Sequence, residues 1–539
     1  MKLNLIFLAG ITGIIFLFPV QTLASPRQLE KETSQRRLIA NKIQVNNFKI
    51  LGNTIFSTET LQNLLTPYIG QELTPALITE VSRILTEYYA QRGYNSSFAR
   101  AIPGELRDGV VTILITESKI ARVEVDVKGY LAEGYVRSRI LARFKNEIFN
   151  IRTLEETIFL LTEDNNIENI NIEVVPDRDR TGAVILKADV VAAPVVAVRS
   201  RFSNRRSALI GSNEIVAQVE TGVFGIGDKF SALYSHTSGS EGFGLNYNLP
   251  LGPKTGNLNL FYGQNANDLV ETPFNNFNAD IDAEYANIGY SLPLIDRPLE
   301  KLSVGVVGSF AEATNTIDGQ RVRLLRGADD NGNLTVTAIR FPIEYLVRDR
   351  TENIIALRSE LSVGIDALGA TIDDSGLPDS RFLAWRSSAE YLRFLGPDTF
   401  VFVRSSLQLA KDSLPAFEQV GLGGLETVRG YQNSIAVGDN GLFLSGELRY
   451  PLWRNEAKQM RLQLVPFIDF GKVWNTSIED PLVTNLLSVG LGLRFEIRDR
   501  LEVDLNYGIP LINRNNPNVN ETIQDGGFSF SVTGTIFEF

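Results

Sequence analysis

The sequence predicts an α+β repeat of two β-α-α-β-β units followed by a transmembrane β-barrel of about 16 antiparallel strands. Three observations lead there. The chain opens with an export signal, its first third alternates short strands with helices, and everything after Pro194 alternates apolar and polar residues at a period of two. No cysteine occurs, so disulfides and thiolate metal sites are excluded. A net charge of −11 argues against a basic nucleic-acid surface, and a single histidine, His236, leaves little for zinc or general-base chemistry. His236 sits in "LYSHTSGS" and reads as an exposed strand-end residue. No enzyme activity, cofactor or metal is expected.

Residues 1–24 read as a signal peptide: Lys2, an apolar run from Leu3 to Val20, then Thr22-Leu23-Ala24, a small-residue cleavage pattern. An uncleaved anchor is the alternative. No later apolar run reaches about 18 residues, so an exported chain is soluble or crosses a membrane with strands. Residues 25–42 contain "QLEKETSQRRLIA", which reads as a short charged helix.

The first unit is expected over 43–118. Ile43, Val45, Phe48 and Ile50 suggest a strand ending at Gly52-Asn53, and a short helix starts at Ser57. Thr74 as N-cap, Pro75 at N1 and Gly93 as the stop delimit a longer helix, with Leu77, Val81, Ile84 and Tyr88 as its apolar face. Strands follow near 98–102 and 110–116. The second unit, 119–193, repeats that order, with strands near 121–127, 170–175 and 183–190 and helices near 133–144 and 154–162. Two unrelated α+β domains are the alternative to a tandem repeat.

The barrel is expected over 194–539. In "LGLRFEIR" the residues Leu491, Leu493, Phe495 and Ile497 oppose Gly492, Arg494, Glu496 and Arg498. "LEVDLNYG" and "LFLSGELRY" repeat the scheme, with Glu447 and Arg449 on the polar face of the latter. One such strand also fits a soluble sheet wetted on one face. Many of them, with polar loops and a chain ending "FSFSVTGTIFEF", favour apolar residues facing lipid and polar ones facing a lumen. Phe537 and Phe539 form the candidate C-terminal barrel signal, although Val532 stands where such a signal usually has a polar residue.

"GGLETVRGYQNS", Gly423 to Ser434, poses a separate question, because glycines before a cation suggest a phosphate cradle. Neither G-x-x-x-x-G-K-[ST] nor G-x-G-x-x-G is present, so nucleotide binding is not expected. The glycines read instead as flexible backbone of a long loop near 420–440. In "MRLQLVPFIDFG", Leu462, Leu464, Ile468 and Phe470 take one face, which puts Arg461, Gln463, Phe467 and Asp469 on the lumenal one. A lumenal carboxylate away from water needs a partner, and an arginine supplies bidentate geometry. A solvated cation is the plain alternative for Arg429.

These stretches carry a family likeness. Two β-α-α-β-β units before such a barrel resemble the polypeptide-transport-associated (POTRA) domains and barrel of the protein-translocating outer-membrane porins. Within that superfamily the chain is most similar to the two-partner secretion transporters, the hemolysin secretion/activation proteins. "GNTIFS", "PYIGQELT", "YYAQRGY" and "DGVVTILITESKI" carry the likeness in the first unit, and "GLGGLETVRGY", "LSGELRYPL" and "PFIDFGKVW" in the barrel.

The resemblance implies an outer-membrane pore of a Gram-negative-type cell, with POTRA domains in the periplasm. It implies capture and export, without ATP, of one large secreted exoprotein. Lipid and the barrel assembly machinery are the other implied partners; nucleic acid and nucleotide are not. It places Val428, Arg429, Gly430 and Tyr431 on a loop folded into the lumen, and Phe467, Asp469 and Gly471 on the barrel wall, with Arg429 paired to Asp469. A barrel-assembly insertase of the same superfamily and a passive porin or surface receptor remain the other readings.

Overall fold

The computed structural model describes residues 43–102, 109–253, 256–272, 274–349, 351, 353–374, 376–498, 500–512 and 522–539. The expected signal peptide and the segment 25–42 lie outside them.

The first unit runs β1 (Asn47–Leu51), α1 (Thr58–Leu65), α2 (Pro75–Ala90), β2 (Phe98–Ala101) and β3 (Val110–Thr116), with sheet order β1-β3-β2. Ser57 caps α1 by accepting from the amide of Thr60. Thr74 caps α2 through the amide of Leu77, so the first orphan donors of both helices are met by hydroxyls. The buried stripe of α2 is Leu77, Val81, Leu85 and Tyr89. Ile84 and Tyr88, expected on that face, lie at its margin, because the stripe follows an unbroken i+4 row. Tyr88 instead carries Arg92 over its ring at 3.5 Å and meets Phe56 edge-on.

The second unit comprises β4 (Lys119–Lys128), α3 (Glu133–Leu141), α4 (Ile151–Thr162), β5 (Ile167–Pro176) and β6 (Ala183–Ala192). Its sheet order is β4-β6-β5, with β4 parallel and β5 antiparallel to β6. That is the connectivity of the first unit. Val136, Ile140, Leu154 and Leu161 of the helices pack on Val123, Leu186 and Ala188 of the sheet.

The barrel begins with β7 (Val196–Ser203), β8 (Glu214–Thr221), β9 (Lys229–His236), β10 (Ser240–Pro250), β11 (Asn257–Asp268) and β12 (Ala279–Arg297). It continues through β13 (Glu300–Ile317), the two-residue β14 (Gln320–Arg321), β15 (Asn333–Arg348), β16 (Ile354–Gly364), β17 (Leu383–Gly396) and β18 (Thr399–Ala410). A small hairpin, β19 (Val420–Leu422) with β20 (Ala436–Gly438), interrupts it. The wall resumes with β21 (Asn440–Asn455), β22 (Met460–Trp474), β23 (Asn485–Ile497), β24 (Leu501–Pro510) and β25 (Phe528–Glu538). Leaving aside β14 and the hairpin, sixteen strands pair antiparallel, and β25 returns to β7 to close the ring.

Closure removes every sheet edge and satisfies the backbone inside the membrane, where no water replaces a missing hydrogen bond. Ile343, Leu361, Leu444, Ile468, Leu491 and Leu505 are exposed on the outside, as lipid contact requires. The last residue is built into the seam: the amide of Phe539 donates to Val196, and its carbonyl accepts from Val195 and Val196. Phe537 and Phe539 are both more than half exposed and meet ring to ring at 5.1 Å.

The second unit docks on the turn between β8 and β9. Tyr130 donates its hydroxyl to the carbonyl of Val223 (2.7 Å), and the amide of Ala132 donates to Gly225 (2.7 Å). Glu163 holds both Lys301 (2.8 Å) and Arg348 (3.0 Å) at the neighbouring turns, and Arg143 pairs with Asp296. Burial pushes the Tyr135 hydroxyl above the ordinary phenol range, and the Asp164 carboxylate that accepts its hydrogen bond at 2.7 Å adds to the shift. Tyr135 therefore stays a neutral donor. Gly227 makes the contact possible, because a Cβ there would lie 2.1 Å from the Tyr135 ring. Gly227→Val is expected to undock this unit and raise limited proteolysis of the 222–227 turn several-fold in the inserted protein; an unchanged digestion rate contradicts the role given to this glycine.

Candidate functional site: a buried arginine cluster on the barrel wall

The segment between β18 and β21 spans residues 411–439 and folds into the barrel. It starts earlier than the expected 420–440, and its two limbs pair as β19 and β20. Its tip is not slack backbone. The hydroxyl of Thr427 accepts from the amide of Gly423 and donates to the carbonyl of the same residue, while the amide of Gly424 donates to Val428. The glycines serve a fixed turn, contrary to the flexible role read from sequence: Gly423 has φ +115 and a Cβ on it would lie 2.2 Å from the Gln432 carbonyl oxygen.

This turn delivers Arg429 to a site with almost no water. Arg429 is 3% exposed, Asp469 0% and Glu447 6%. The guanidinium forks onto Asp469, Nε to Oδ2 and Nη2 to Oδ1, both at 2.8 Å. Its third nitrogen, Nη1, donates to Glu447 Oε1 at 2.7 Å, and the Arg429 amide donates to Asp469 Oδ2 at 3.1 Å. Ser445 completes the set by donating to Asp469 Oδ1 at 2.7 Å. Arg449 and Arg404 approach Glu447 at 3.2 and 3.8 Å, so two carboxylates face three guanidiniums. A buried charge is tolerable when it is paired and its remaining valences are hydrogen-bonded, as holds for Arg429, Asp469 and Glu447. Arg404, by contrast, keeps a buried Nε without a partner among the described residues.

The wall motif F-x-D-x-G follows from the pleat. Phe467, Asp469 and Gly471 are alternate residues of β22 and so point the same way. Phe467 lies flat beneath the guanidinium carbon at 3.6 Å. Asp469 takes the charge. Gly471 leaves room: a Cβ there would sit 2.8 Å from Val428 and 3.1 Å from Leu422, two buried residues of the loop. Register puts Ser445 opposite Asp469 and Glu447 opposite Phe467, so β21 brings its polar face to the same spot.

Gly430 has φ +91 and rests backbone to backbone on Gly508 of β24; a Cβ at Gly508 would lie 2.6 Å from the Gly430 nitrogen. Gly508 pairs in register with Gly490 of β23, and the Phe467 ring lies over Gly490. Tyr431, 2% exposed, directs its hydroxyl at the carbonyls of Leu487 and Ile512 (2.9 and 3.0 Å) and accepts from the amides of both. Each residue of Val428-Arg429-Gly430-Tyr431 thus has its own receptor on the wall.

The structure brings the two sequence motifs together. Glu447, Ser445 and the Gly490–Gly508 trough were not named as site residues from sequence. The alternation already put Ser445 and Glu447 on the lumenal face. "LSVGLGL" and "LNYGIP", where a strand spends a residue without a side chain, marked the trough. His236, at the end of β9 beside Glu241, and Phe537 and Phe539 take no part in the cluster.

Comparison with known proteins agrees with this architecture. Residues 189–495 match the family model described as haemolysin secretion/activation protein ShlB/FhaC/HecB, and residues 43–118 match the ShlB-type POTRA domain. The outer membrane transporter CdiB of Escherichia coli O6:K15:H31 is 22% identical over 422 residues, covering 76% of this chain and 69% of that protein. The heme/hemopexin transporter protein HuxB of Haemophilus influenzae (strain 86-028NP) is 22% identical over 472 residues, 85% of this chain and 81% of that protein. Among solved structures, CdiB from Escherichia coli superposes with a TM-score of 0.71 at 18% identity, covering 96% of this chain and 100% of that one. With the family model spanning more than half of its length, the chain belongs to the ShlB/FhaC/HecB family of haemolysin secretion/activation proteins, outer-membrane β-barrel transporters with POTRA domains.

Proposed function

We propose that this protein is the transporter half of a two-partner secretion pair, exporting one large secreted protein through its barrel. The observation that carries the reading is the loop 411–439, which is folded inside the barrel and held by a buried ion cluster. A loop seated on the wall by buried, bidentate charges occupies lumen that a passenger has to cross. A protein-conducting pore needs such an element, because its lumen has to stay shut until a passenger arrives.

In this reading the signal peptide 1–24 is removed on export, and 43–118 and 119–193 are two POTRA-like domains in the periplasm. Strands β2 and β5 are sheet edges that an extended peptide can join, although Thr86 already takes the Ala99 amide of β2. The passenger is captured there unfolded and passed to the barrel. No nucleotide is used; the energy comes from binding and from folding outside the cell. Arg429 and Asp469 hold the lumenal loop in its resting position.

Removing residues 43–118 tests the capture step. Affinity for the N-terminal domain of the secreted partner is expected to fall at least tenfold, an amount within reach of a few lost strand-pairing hydrogen bonds. Undiminished affinity reduces the first domain to a spacer and removes this step from the mechanism.

A further inference from the structure

The loop has a second charged anchor that the Arg429 motif does not account for. Glu418 precedes β19 and is 2% exposed. Its carboxylate takes Arg340 of β15 on both oxygens, Nη2 to Oε1 at 2.6 Å and Nη1 to Oε2 at 3.0 Å. Arg386 of β17 donates to Oε2 at 2.7 Å and to the Glu418 carbonyl at 2.9 Å. That carbonyl also accepts from Gln408 Nε2 of β18 at 2.9 Å. Both arginines are set by wall residues: Arg340 donates to Ser309 of β13 and Ser362 of β16, and Arg386 donates to Gln408.

The two anchors share no residue. The tip is bound to β21–β24, with Arg404 of β18 donating to the Glu426 carbonyl beside it, while Glu418 binds Arg340, Arg386 and Gln408 of β15, β17 and β18. A carboxylate this buried would be costly without partners, and it has two guanidiniums from two strands. The sign is also reversed: the loop supplies the cation at its tip and the anion at its base. Breaking the hydrogen bonds of one anchor removes none of the other's.

We infer that Glu418 is a positioning residue that fixes the base of the lumenal loop to the β15–β17 arc independently of Arg429, giving the loop two separately releasable anchors. Its bearing on export rests on the transport reading above; the seating itself does not.

The chain has no cysteine, so paired substitutions report each anchor cleanly. At the base, a Cβ on Gly441 lies 2.7 Å from Val420 Cγ1, so Val420→Cys with Gly441→Cys reads the position of β19. At the tip, Val428→Cys with Gly471→Cys does the same. Both pairs are oxidised in membrane-inserted protein, and the remaining free thiols are measured with a maleimide polymer.

Glu418→Gln is expected to raise free thiol at the base pair roughly tenfold, the weight of one charge-assisted hydrogen bond in an equilibrium, and to leave the tip pair cross-linked. Arg429→Ala is expected to give the converse. Base cross-linking that survives Glu418→Gln, or loss of both pairs together in either variant, overturns the inference. Should Glu418→Gln fail to insert, Arg386→Ala carries the test, since it leaves Glu418 one arginine and gives a smaller shift at the base pair; no shift counts against the proposal. Export measured in a Glu418→Gln strain without the cysteines separates the two levels: a base pair that opens while export stays normal preserves the anchor and removes its role in transport.

Discussion

Arg429→Ala is expected to abolish export of the secreted partner while leaving an inserted barrel that still shifts on heating in gel electrophoresis. The substitution strips the only cation that reaches Asp469 among the described residues and leaves Asp469 and part of Glu447 buried without their counter-charge. Breaking a buried pair from one side costs about 3–5 kcal/mol, more than the seating of a short loop tip can absorb. The loop then leaves its wall site. The barrel survives, because its closure rests on the strand ladders and on the β25–β7 seam, to which Arg429 contributes nothing. Arg429→Lys keeps the charge but loses the fork and the flat stack on Phe467, so export is expected to be intermediate. The check is the amount of partner in the medium against the amount of heat-modifiable barrel in the membrane. Normal export by the alanine variant contradicts the role given to this residue.

Gly508→Val is expected to cause a loss of export of the same order without altering any charge. The added Cβ would meet the Gly430 nitrogen at 2.6 Å and the Arg429 carbonyl carbon at 2.7 Å. Both are backbone atoms, so no side-chain rotation relieves the clash, and the whole tip has to lift. Valine suits a strand, which protects β24 itself. Increased ion conductance in planar bilayers is the expected companion, since a lifted tip vacates part of the lumen. A variant that exports normally and conducts as the parent does shows that the glycine trough is not a seat for the loop. Gly446→Ala serves as the control, because the nearest atom to a Cβ there is at 3.7 Å, an ordinary contact.

The architecture was legible because barrels and small α+β units write their periods directly into sequence. The two-residue alternation of β21–β24 separated lipid-facing Leu444, Ile468 and Leu491 from lumenal Glu447 and Asp469 without any structure. Helix caps at Ser57 and Thr74 did the same for the first unit. The pairing of Arg429 with Asp469 was reachable from the motifs, since a lumenal carboxylate asks for a cation. The glycine trough was not read as a site, because a glycine in a strand shows only that something comes close. It does not show what comes close. Glu418 was missed for a related reason: its partners, Arg340 and Arg386, lie on distant strands, and only closure of the ring brings them to one loop. The edge of the α2 stripe was misplaced by one residue at Ile84 and Tyr88, where two tyrosines in succession offered sequence no way to choose.

The central claim, that this barrel moves one secreted protein, is tested most directly by depleting it and quantifying the secreted and outer-membrane proteomes together. Loss of one large protein from the medium, with the other outer-membrane barrels at their usual levels, is the predicted result. A general fall in outer-membrane barrels, or altered small-solute uptake with every secreted protein intact, contradicts it.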